Sequence, residues 1–127
     1  MSNDPKQTSM HGAICYLEIP AVDPKRSAQF YHDVFGWSIR HHHDGSLAFD
    51  DNTATSRQVS GTWVTGRPPL DTIGIVISIM VDDAEETVRK IVQYGGEIVR
   101  PLGFNPQERI AWFRDPGGNI LGIYQEP

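Results

Sequence analysis

The chain has 127 residues, 39% apolar and 21% charged, which suits one compact domain with its own core and is too short for two ordinary ones. A net charge of −5 excludes the basic face that nucleic acid requires and works against docking on anionic membranes. The longest apolar run, near residues 73–81, is too short to span a bilayer, and Cys15 is the single cysteine, so no internal disulfide forms. The start of the chain has neither a basic stretch nor an apolar run of the signal-peptide kind, so a soluble, cytoplasmic protein is expected.

Residues 1–11 read as a flexible polar tail and residues 12–127 as one domain. Residues 13–19 (AICYLEI) alternate as a strand, with Cys15, Leu17 and Ile19 on one face and Ile14, Tyr16 and Glu18 on the other. That face assignment makes Cys15 a buried, inert thiol. Asp23 then caps a helix with Pro24 at its first position. Ala28, Tyr31, Val34 and Phe35 recur at helical spacing, and Gly36 supplies the stop. Strands over 37–42, 46–50 and 58–65 follow, the first two joined by an Asp44-Gly45 turn. Gly66-Arg67-Pro68-Pro69 is the clearest linker.

The pattern then begins again. Residues 72–81 (TIGIVISIMV) read as a buried strand, because they are apolar and rich in β-branched side chains. Asp82 or Asp83 caps a second helix whose buried stripe is Ala84, Val88, Ile91 and Val92, and Gly95-Gly96 ends it. Strands over 97–100, 109–114 and 119–124 close the domain, the last two joined by Asp115-Pro116-Gly117-Gly118. Val22-Asp23 matches Val81-Asp82, and Gly36 matches Gly95, at a constant shift of 59. The chain therefore reads as a duplication, with one module over 12–66 and a second over 70–126. The expected class is α+β: two βαβββ modules whose helices cover one face of a mixed sheet, the other face curving around a cavity.

Two stretches carry a resemblance. IPAVDPKRSAQFYHDVFGW (19–37) and AWFRDPGGNILGIYQ (111–125) resemble the signature segments of the vicinal-oxygen-chelate superfamily, which includes glyoxalases, bleomycin-resistance proteins and ring-cleaving dioxygenases. The likeness runs from about Gly12 to Gln125. It implies the cup-shaped glyoxalase/bleomycin-resistance fold, a small-molecule ligand and a homodimer. Metal-using members place one His seven positions before the helix-capping Asp, a second ligand at the equivalent point of the second module, and a Glu seven after the Asp of the D-P turn. Those positions hold Tyr16, Val76 and Gly122, and the region of the remaining ligand, residues 58–63, contains neither acid nor His. Valine and glycine have no side-chain donor, and a neutral phenol is a poor ligand for a divalent ion. No cofactor is therefore expected; the alternative is a divalent metal (zinc, nickel, iron or manganese) at a relocated or incomplete site.

By the same alternation Tyr16, Glu18, Ser78, Met80 and Tyr124 point into the cup, with Trp112 and Arg114 as further candidate ligand contacts. Glu18 is a candidate general base if it faces a dry cavity; the plainer reading pairs it with Arg114 or Arg109. Trp63, Trp112 and Tyr124 could stack on a planar ligand, or simply fill the core. His41 and His43 share a strand face before the turn and could hold zinc or nickel with Asp44 as a third ligand, although a solvated strand end is the simpler account. No phosphate-binding glycine loop, nucleophile elbow or cysteine-pair site is present. The function expected is metal-independent binding of a small organic molecule; the alternative is a metal-dependent glyoxalase-like lyase, isomerase or dioxygenase.

Overall fold

The computed structural model describes residues 11–52, 58–72, 74–103, 107 and 109–126. The tail expected over residues 1–11 thus lies, save for His11, outside the described residues. The first half contains β1 (Tyr16–Pro20), α1 (Pro24–Phe35), β2 (Ser38–His41), β3 (Leu47–Asp50) and β4 (Ser60–Val64). The second contains β5 (Ser78–Met80), α2 (Ala84–Gln93), β6 (Glu97–Arg100), β7 (Ile110–Arg114) and β8 (Ile120–Tyr124).

Each half closes its own four-stranded mixed sheet, in the orders β1-β4-β3-β2 and β5-β8-β7-β6. The parallel pairs share one register: Tyr16 lies opposite Ser60 and Ser78 opposite Gly122, both offset by 44 residues. The duplication read from sequence is therefore a duplication of pairing as well as of pattern.

Local chemistry sets the helix ends. The Asp23 carboxylate accepts from the Lys25 N–H at 3.1 Å, and Pro24 occupies the first turn, where no N–H is needed. Gly36 stops α1 at φ 77°, a left-handed conformation in which its N–H reaches the His32 carbonyl. In the second half Asp83 is the cap, accepting from the Glu86 N–H at 3.0 Å. The Gln125 amide oxygen satisfies the Ala84 N–H at 2.7 Å, tying the end of the last strand to the start of α2.

An aromatic stack fills the core. The Tyr31 and Trp37 rings lie 4.5 Å apart at 16°, and Trp37 and Phe49 lie 4.4 Å apart at 17°. Phe30 of α1 reaches Phe113 of β7 at 5.9 Å, so the first helix packs on the second sheet too. Burying each such ring contributes about 1.5–3 kcal/mol. Gly61 is required under Phe49: a Cβ there would come within 2.5 Å of the ring.

Three expectations need correction. Among the described residues of the run 72–81 only Ser78–Met80 is strand, and Ile75 is 81% exposed, because β5 is a short edge strand with a partner, β8, on one side alone. Val92 is exposed; the buried residues of α2 are Ala84, Thr87 and Ile91, since the helix packs against β6, β7 and α1 and Val92 lies off that face. Cys15 is exposed, because it precedes the first paired residue, Tyr16, and nothing packs over it there.

Candidate functional site

A cavity of about 780 Å³ opens between the two modules on the helix side of the sheets. Alternation along β1 decides what enters it. Leu17 shares a face with buried Ile19 and lines the cavity, as do Val34 and Phe35 from the end of α1 and Trp37 and Phe49 behind them. Ile77, Ile79 and Leu121 form the opposite wall. The polar lining is Asp51, Asp82, Asp83, Glu86, Thr87 and Lys90. The volume falls within the range common to ligand pockets in proteins generally.

The residues singled out from sequence divide between this cavity and the opposite sheet face. Ser78 and Met80 border the cavity. Tyr16, Glu18, Trp112, Arg114 and Tyr124 do not line it. Tyr16 is 52% exposed and Glu18 is 48% exposed at its side chain, so neither stands in dry surroundings. Glu18 is paired, but its partner is neither Arg114 nor Arg109. Arg67 reaches its Oε1 at 2.7 Å, because the linker folds back over β1. Arg114 instead contacts Glu97 at 3.3 Å across the β6–β7 pair and donates to the Gly118 carbonyl. The Arg100 guanidinium lies 5.6 Å from the Trp112 ring centroid. Trp63 is buried against Phe49, with its indole N–H lacking a partner among the described residues.

Two of the family's metal positions, Val76 and Gly122, come together in the second module. Gly122 lies opposite both Ser78 and Trp112 in the second sheet. A side-chain stem at Gly122 would meet the Ser78 hydroxyl at 2.7 Å, Trp112 at 3.2 Å and Val76 at 3.3 Å. The space a ligating carboxylate would cross is therefore filled, and the surrounding donors are a serine hydroxyl and apolar atoms. These residues do not fit a divalent ion. His41 and His43 are exposed at the end of β2 and in the following turn. Asp44, their proposed third partner, accepts from both the N–H and the hydroxyl of Ser46, which holds its carboxyl below the usual range. Among the described residues no three His, Cys, Asp or Glu side chains are grouped to hold a metal.

A buried polar cluster joins the modules beside the cavity wall, and sequence reasoning named its turn without seeing its role. Asp115 Oδ1 accepts from the N–H groups of Gly117 and Asn119, each at 2.9 Å. Asn119 donates to the Pro20 carbonyl at 2.7 Å and accepts from the Leu70 N–H at 2.9 Å. One amide side chain thus ties the end of β1, the linker and the last hairpin. Burial raises the Asp115 carboxyl above its ordinary value despite these hydrogen bonds.

Comparison with known proteins agrees with this architecture. The profile of the Glyoxalase/Bleomycin resistance protein/Dioxygenase superfamily matches residues 13–123. A glyoxylase-like domain-containing protein of Didymella fabae is 28% identical over 124 residues, covering 93% of this chain and 97% of that protein. A lactoylglutathione lyase of Neisseria meningitidis is 30% identical over 115 residues, covering 80% of this chain and 82% of the enzyme. The crystal structure of the fosfomycin resistance protein FosX from Mesorhizobium loti superposes with a TM-score of 0.72 at 13% identity, over 94% of this chain and 95% of the other. Profile, relatives and strand pairing converge: the chain belongs to the glyoxalase/bleomycin resistance protein/dioxygenase superfamily.

Proposed function

We propose that this protein binds a small, largely apolar organic molecule in the cavity between its modules, without a metal at the positions the family uses. The observation that carries this reading is the 780 Å³ cavity walled by Leu17, Phe35, Trp37, Phe49, Ile77 and Leu121. Apolar walls of this kind gain when an apolar molecule displaces water from them. Ser78 and Met80 belong to this site; the reading does not draw on Tyr16, Glu18, Trp112, Arg114 or Tyr124. The filled space at Gly122 supports binding over metal-assisted chemistry.

The lactoylglutathione lyase among the relatives favours a second reading, a glyoxalase-like lyase or isomerase with a relocated metal site. Elemental analysis of protein purified without an affinity tag separates the two. The expected result is no stoichiometric first-row metal; a stoichiometric ion ligated by protein side chains overturns the first reading. A homodimer is also proposed. β1 and β5 are edge strands, and the exposed apolar residues Ile14, Tyr16, Ile75 and Met80 lie on or beside them. Light scattering at micromolar concentration should give twice the 14.2 kDa chain mass, and a monomer mass refutes the pairing.

A further inference from the structure

Tyr31 sits one helical turn before Val34 and Phe35, both of which line the cavity, and its ring stacks on Trp37, another lining residue, at 4.5 Å and 16°. The ring is thus built into the first module's wall. Its hydroxyl reaches across to the second module and donates to Asp115 Oδ2 at 2.8 Å, both groups being buried. Asp115 opens the turn between β7 and β8. Its Oδ1 is held by the Gly117 and Asn119 N–H groups, and Leu121, two residues beyond Asn119, lines the opposite wall. One hydrogen bond therefore ties a fixed part of one wall to a fixed part of the other. Beside it, α1 meets β7 through apolar rings, Phe30 and Phe35 lying 5.9 and 5.8 Å from Phe113. Apolar packing is non-directional and lets surfaces slide, whereas a hydrogen bond weakens steeply once its geometry departs from ideal.

We propose that Tyr31 and Asp115 are positioning residues of the cavity: their hydrogen bond fixes the separation of its walls and so sets the girth of the molecule it admits. The inference rests on the reading of the cavity as a ligand site and adds its selectivity. Neither side chain lines the cavity, so both act through the residues that do. With the bond in place, a slender molecule fits between the wall of Phe35 and Trp37 and the wall of Leu121, while a bulky one must strain a packed core. Without it, Phe30 and Phe35 can slide on Phe113, the walls part, and the bulky molecule enters at a smaller cost.

Two neutral probes of equal carbon count test this on the full chain, followed by calorimetry and by the fluorescence of Trp37: 4-phenylbutan-1-ol, which is slender, and adamantan-1-ol, which is bulky. The readout is the ratio of their affinities, which a uniform loss of stability does not move. Tyr31→Phe keeps the stacked ring and removes only the hydroxyl. It should shift the ratio toward adamantan-1-ol by roughly threefold or more, the size expected of a residue that acts without touching the ligand. Ile98→Ala, which weakens the packing of β6 away from the cavity, should leave the ratio at the parent value. A ratio unchanged in Tyr31→Phe, or moved the other way, overturns the positioning role and leaves the apolar site standing. An equal shift in Ile98→Ala overturns it too, because general loosening would then suffice. Failure of both alcohols to bind the parent overturns the cavity reading and the inference with it.

Discussion

The Tyr31 hydroxyl donates to Asp115 Oδ2 at 2.8 Å, joining helix α1 to the β7–β8 turn across 84 residues of sequence. Both groups are buried, and burial holds the Tyr31 phenol well above its ordinary value. Removing the hydroxyl in Tyr31→Phe leaves Oδ2 with Asn119 as its remaining partner. The expected loss is about 1–3 kcal/mol in urea unfolding. Asp115→Ala should cost more, because it also strands the Gly117 and Asn119 N–H groups. Equal stability of Tyr31→Phe and the parent would show that the bond does not clamp the modules.

Two carboxylates set opposing pH trends. Burial raises Asp115, so the unfolded chain, whose aspartates ionise near about pH 3.9, releases that proton first. Its contribution is therefore complete below that value and is lost as pH rises through the folded pKa. Asp50 is lowered, first by the Ser60 hydroxyl and then by Arg40, so its contribution is present above the ordinary value and lost as pH falls through the folded pKa. Melting temperatures of the parent and Asp115→Asn, taken from about pH 4 to about pH 7, isolate the first effect. The parent should lose ground against the variant as pH rises; a constant difference would mean that Asp115 does not titrate this way.

Gly61→Ala should destabilise the fold by about 1–3 kcal/mol, because its Cβ would press on the rigid Phe49 ring and on the backbone of β1. Chemical denaturation gives the value. A neutral outcome would require the Trp37–Phe49 stack to slide, which near-ultraviolet circular dichroism would register.

Glu18→Gln tests whether that carboxylate serves structure or ligand. Its pair with Arg67 is about half exposed on both sides, so losing it should change stability by less than about 1 kcal/mol. Affinity for an apolar fluorescent dye titrated into the cavity should be unchanged, since Glu18 does not line it. A clear drop in affinity would place the binding surface on the opposite sheet face.

Restoring the family's carboxylate should fail. Gly122→Glu would drive its side chain into Ser78, Trp112 and Val76, so reduced stability without metal uptake is expected. Isothermal titration with zinc or nickel is the check, and stoichiometric tight binding by that variant would show that the site is merely one residue short.

Much of the architecture was legible because it depends on short-range chemistry repeated twice. Asp23-Pro24 and Gly36 end a helix through their own side chain or backbone conformation, and the shift of 59 exposes the second copy. Alternation along β1 placed Tyr16 and Glu18 opposite Leu17 and Ile19 without any tertiary information. The absence of family ligands at Tyr16, Val76 and Gly122 was likewise a matter of residue type.

Alternation separates two faces; it does not say on which of them space is left open. That depends on how far α1 and α2 stand from the strand edges, a distance set by the Tyr31–Trp37–Phe49 stack and by Phe30 on Phe113. Tertiary structure therefore decided that Leu17 lines the large cavity, that Arg67 rather than Arg109 or Arg114 meets Glu18, and that Cys15 is exposed. It also decided which aspartate caps α2. The sequence shift pairs Asp23 with Asp82, but the helix begins one residue later, at Ala84, and the cap passes to Asp83. A cap is chosen by where the first turn's N–H groups point, and that follows from the docking of α2 on β6 and β7.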